Sequence, residues 1–89
     1  MKKTYTIGSD GIDNYIWDVR RKTREVLGVD RGDLAMHPLT YYINTGRASC
    51  EFLHKLVATS PTRIARILMG GGSDDYIISR IKRSIRYTD

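Results

Sequence analysis

The basic side chains near the end of the chain are the first candidates for chemistry. Arg80, Lys82, Arg83 and Arg86 stand three or four residues apart in pairs, so a helix there would show Arg80 with Arg83 and Lys82 with Arg86 along its surface. A guanidinium is a planar fork of donors that fits phosphate and guanine edges. Catalytic groups are sparse by comparison. Cys50 and His54 lie one helical turn apart, a spacing at which an imidazole can activate a thiol. No oxyanion donor or orienting acid accompanies them, so Cys50 is expected half-buried on a core helix and the chain is not expected to be an enzyme. Cys50, His37 and His54 match no familiar zinc spacing, and no cofactor is expected. Gly70-Gly71-Gly72-Ser73 lacks the lysine and the preceding strand of a phosphate loop and reads as a helix stop.

The chain has 89 residues, 15 Lys and Arg against 10 Asp and Glu, and a net charge of +5. Most of the cations are arginine, and a basic domain this small most often meets nucleic acid. A single cysteine excludes a disulfide within the chain, and so small a core commonly needs a supplement; self-association as a homodimer is the expected one. Met1-Lys2-Lys3 is followed by no apolar signal segment, and no run is long enough to span a bilayer. The expected location is the cytoplasm, with no membrane partner.

The elements that must position these groups are short. Lys3 to Ile7 alternates, with Tyr5 and Ile7 on one face and Thr4 and Thr6 on the other, the pattern of a half-buried strand. Gly8 to Gly11 reads as a turn. A first helix follows from Ile12 to Leu27, with Ile12, Ile16, Val19 and Val26 as its apolar stripe and Trp17 beside it as a core or dimer contact. Gly28 is placed to end it. Asp30 is the expected cap of a second helical segment with Leu34, Ala35, Leu39, Tyr42 and Ile43 apolar; Pro38 either kinks it or opens a new helix. A third helix is expected over 47–58, a fourth after Ser60-Pro61 and a fifth after Ser73, burying Ile77, Ile78, Ile81 and Ile85. The expected class is therefore mainly α: one short N-terminal strand, paired across a dimer, and about five short helices.

A basic alternating strand followed by two helices resembles the ribbon-helix-helix DNA-binding family over about residues 2–45. That resemblance implies that strands from two subunits pair and enter the major groove. Lys2, Lys3, Thr4 and Thr6 would then face DNA, and threonine can hydrogen-bond bases or touch a thymine methyl. It also implies a phosphate contact at the start of the second helix, where Arg31 and Gly32 stand and free amides favour an anion. Residues 1–46 would form this unit. Residues 47–89 would be a helical extension sharing its core, in which two helices joined by a glycine-containing turn suggest a helix-turn-helix-like pair. The expected function is sequence-specific binding of double-stranded DNA, as a small transcriptional repressor on a two-half-site operator. The alternative is a phage- or plasmid-type inhibitor that binds a host protein.

Overall fold

A computed structural model describes residues 9–86, with the side chains of 10–85. Six helices follow one another: α1 (Ser9–Leu27), α2 (Val29–Ala35), α3 (His37–Asn44), α4 (Cys50–Val57), α5 (Pro61–Met69) and α6 (Asp74–Arg86). The expected class is thus corrected: among the described residues the chain is all-helical, with six helices and no strand. The strand expected over 3–7 lies outside the described residues.

Two local causes raise the helix count and move a boundary. Pro38 does not kink one long helix. Met36 forms a turn, and α3 opens at His37 with Pro38 in its first turn, where no amide proton is needed. At the other boundary, Ser9 to Gly11 is helical rather than a turn. Asp10 sits at the positive end of α1, and Gly11 is buried, so packing there outweighs glycine's weak helix propensity.

The chain reverses sharply between α1 and α2. Gly28 has φ 88°, a conformation that a side chain would strain, and it still donates to the Arg24 carbonyl at 2.8 Å. Asp30 does not cap α2: the N-cap is Gly28 and Asp30 falls in the first turn. α2 then lies close on α1. A Cβ on Gly32 would stand 2.7 Å from both the Cα and the backbone N of Arg24, so only glycine fits this crossing. The buried Thr23 hydroxyl lies 3.0 Å from the Gly32 carbonyl and 2.9 Å from that of Arg20, sharing its proton between them.

The remaining helix starts follow side-chain caps. Ser49 Oγ accepts from the Phe52 amide at 3.1 Å, which starts α4 at Cys50 rather than at 47. Ser60 Oγ accepts from the Thr62 amide at 3.3 Å at the start of α5. Ser73 Oγ accepts from the Tyr76 amide at 3.2 Å at the start of α6.

One core joins both halves of the chain. Tyr15 and Val19 of α1 meet Met36, Leu39, Phe52 and Leu56, the Ile64–Leu68 face of α5 and the four isoleucines of α6. The Tyr15 hydroxyl donates to the Thr59 carbonyl at 2.8 Å, tying α1 to the α4–α5 junction. A single copy buries these side chains, so the core itself does not require a partner. Two expected apolar positions are largely exposed instead. The buried line of α1 advances in steps of four, Tyr15–Val19–Thr23, and leaves Val26 69 % exposed. α2 is held by Gly32, which leaves Leu34 73 % exposed. No described helix is long and apolar enough to cross a membrane.

Candidate nucleic-acid interface

α5 and α6 are joined by Gly70-Gly71-Gly72, in which Gly71 and Gly72 have φ 75° and 117°. Ile64, Ala65, Ile77, Ile78 and Ile81 bury the inner faces of the pair. The outer faces form an open groove lined by Arg63 and Ile67 of α5 and by Tyr76, Arg80, Arg83 and Ser84 of α6. Ile67 is buried at this groove, whereas the three arginines are exposed. Among the described residues none of these arginines forms an ion pair, and no carboxylate lines the groove. Three uncompensated guanidiniums around one concavity make a surface for phosphate oxygens.

The basic residues of α1 are arranged differently. Arg24 Nε and Nη2 donate to the two carboxylate oxygens of Asp33 at 2.6 and 2.9 Å, a bidentate pair across the α1–α2 crossing. These bonds hold the Asp33 carboxyl below its usual range, and the same bonds raise Arg24 above its ordinary value. Arg20 Nε lies 3.5 Å from Asp33 Oδ1; it is buried and too far for a well-formed hydrogen bond. Arg21 pairs with Asp18 one turn earlier. Arg20 and Arg24 also lie over the Trp17 ring, 5.5 and 5.3 Å from its centroid. Trp17 is 50 % exposed, not a core residue. Asn14, Trp17, Asp18, Arg21 and Arg24 line a second hollow whose charges are largely compensated.

The residues expected to bind DNA are thus dispersed. Arg80 and Arg83 share the α5–α6 groove. Lys82 points to the other flank of α6, its Nζ 5.3 Å from the Tyr42 ring. The Arg86 side chain lies outside the described residues, as do Lys2, Lys3, Thr4 and Thr6. Arg31 is exposed on α2. Gly32 is buried, and its amide donates to the Gly28 carbonyl at 2.8 Å, so it is not the open amide that a phosphate requires. Cys50 is exposed at the first position of α4, not half-buried, and His54 is exposed too. Among the described residues no cluster of three or more His, Cys, Asp or Glu could hold a metal ion.

Arg63, Tyr76 and Ser84 are the groove residues that sequence reasoning missed. Their signal is spacing: Tyr76, Arg80 and Arg83 follow one another at four and three residues, one face of a helix, and Arg63 with Ile67 repeats that spacing on α5. No family model, curated protein or solved structure matches the chain.

Proposed function

We propose that this chain is a DNA-binding protein whose α5–α6 groove holds backbone phosphates of a duplex, acting as a small repressor that occupies an operator. The observation that carries this reading is the set of Arg63, Arg80 and Arg83 around one groove without a carboxylate partner. Such a set supplies affinity and position; reading of base edges falls to neighbouring side chains. A homodimer is part of the proposal. Val26, Val29 and Leu34, exposed by 69, 60 and 73 %, are the apolar side chains that a second copy would cover.

The test is binding of a mixed-sequence duplex at two salt concentrations, by fluorescence anisotropy. Three neutralised phosphates give a slope of about −2.7 for one copy, a loss of roughly 40-fold between about 50 and 200 mM salt, and a dimer that engages both grooves doubles that slope. The double variant Arg80→Glu/Arg83→Glu should abolish most of that binding, and Arg21→Glu should not. A flat salt response, or no binding at the lower salt, refutes the reading.

The half-exposed Trp17 flanked by arginines favours a second reading, an inhibitor that docks on a host protein, since Trp and Arg dominate binding hot spots. Capture of one stoichiometric protein from nuclease-treated extract, together with absence of DNA binding, decides for it.

A further inference from the structure

We propose that the α5–α6 groove also takes an unpaired or extruded nucleotide, its base stacked on Tyr76 and its flanking phosphates held by Arg63, Arg80 and Arg83; this rests on the DNA-binding reading above and adds a base contact to its phosphate contacts.

Tyr76 is 51 % exposed although it lines the groove beside the buried Ile67. Its ring is seated against the backbone of the glycine turn: a Cβ on Gly72 would lie 2.7 Å from Tyr76 Cδ2 and 3.4 Å from Cε2. The φ of 117° at Gly72 independently excludes a side chain there. Glycine thus makes room for the Cδ2 edge of an aromatic ring that remains half-exposed. In an intact duplex each base has its faces covered by its neighbours, which leaves a ring of this kind nothing to stack on. An unpaired or extruded base offers a free face, and stacking on an aromatic side chain tolerates any base.

Charge fixes which way the strand lies. Asp74 and Asp75 are exposed at the start of α6, next to Tyr76. Arg80 and Arg83 follow one and two turns further on, and Arg63 faces them from α5. Phosphates are repelled from the Asp74–Asp75 end and drawn to the arginine end, so the base lies on Tyr76 with the backbone running along α6. The Ser84 hydroxyl, which also lines the groove, can donate to a phosphate oxygen or a sugar.

Anisotropy with two labelled probes, a short oligothymidylate and a blunt hairpin duplex, tests this on the full chain. The oligothymidylate should bind more tightly than the duplex. Tyr76→Ala should weaken oligothymidylate binding by about tenfold while leaving the duplex within about twofold, and Tyr76→Phe should retain the wild-type affinity for both. Thermal melting of the variants checks that the fold survives; if the alanine variant melts early, Tyr76→Leu, apolar and bulky but without an aromatic face, carries the test and should lose oligothymidylate binding selectively. Binding of the duplex with no preference for the single strand, or equal loss of both probes in Tyr76→Ala, overturns the inference and leaves the DNA-binding reading standing. Binding of neither probe overturns both.

Discussion

Gly32 shows how much a single side chain can matter in a chain this small. In most helices, replacing glycine with alanine is stabilising by up to about 1 kcal/mol, because the backbone loses less freedom on folding. Here the added methyl would meet the backbone of Arg24 at 2.7 Å, and a helix backbone cannot swing aside as a long side chain can. Gly32→Ala should therefore reverse the usual sign and destabilise the protein by about 1–3 kcal/mol in a urea titration. The Arg24–Asp33 pair at the same crossing makes stability depend on pH. The folded state depresses the Asp33 carboxyl, chiefly through the Arg24 hydrogen bonds, so the stabilisation is complete above the unfolded value near about 4. It is lost as pH falls through the lower folded value. Melting temperatures of the wild type and Asp33→Asn should differ near neutrality and converge at acid pH; a constant gap would mean that the charge is not what stabilises the pair.

The helices were legible where a serine or a glycine marks them. Ser49, Ser60 and Ser73 sit at the starts of α4, α5 and α6, and the isoleucine spacing of α6 gives its buried face. Gly28 ends α1 as expected. What sequence periodicity cannot convey is where a stripe runs off the end of the core. Val26 and Leu34 belong to apolar patterns and are nevertheless exposed, because the contact between α1 and α2 is made by Thr23 and Gly32, a hydroxyl and a bare backbone, with no hydrophobic signal. The α5–α6 groove was half legible for a related reason: Arg80 and Arg83 stand out as a run of charge, whereas Arg63 joins them only once the two helices are packed. α2 carries its own prediction. If a second copy covers its apolar side chains, Leu34→Glu should halve the mass seen by light scattering without lowering helical content, since the residue supports nothing inside one copy.

At the scale of the whole molecule, the division into residues 1–46 and 47–89 does not mark a division of the core. α1 packs on α5, and Tyr15, Val19 and Leu39 share one cluster with Phe52, Leu56 and the isoleucines of α6. A fragment ending at residue 46 should therefore show weak helical signal and no cooperative melting transition by circular dichroism, despite containing three helices. The Tyr15–Thr59 hydrogen bond puts a date on this dependence. It joins positions 44 apart in sequence, so during synthesis the environment of Tyr15 stays unfinished until Thr59 has left the ribosome. The Thr23–Gly32 contact of the α1–α2 elbow joins residues only nine apart, so its partners are both present much earlier. The nascent chain thus has both partners of the Thr23–Gly32 contact early, but keeps the apolar side of α1 open until Thr59 and the helices that follow it have been made.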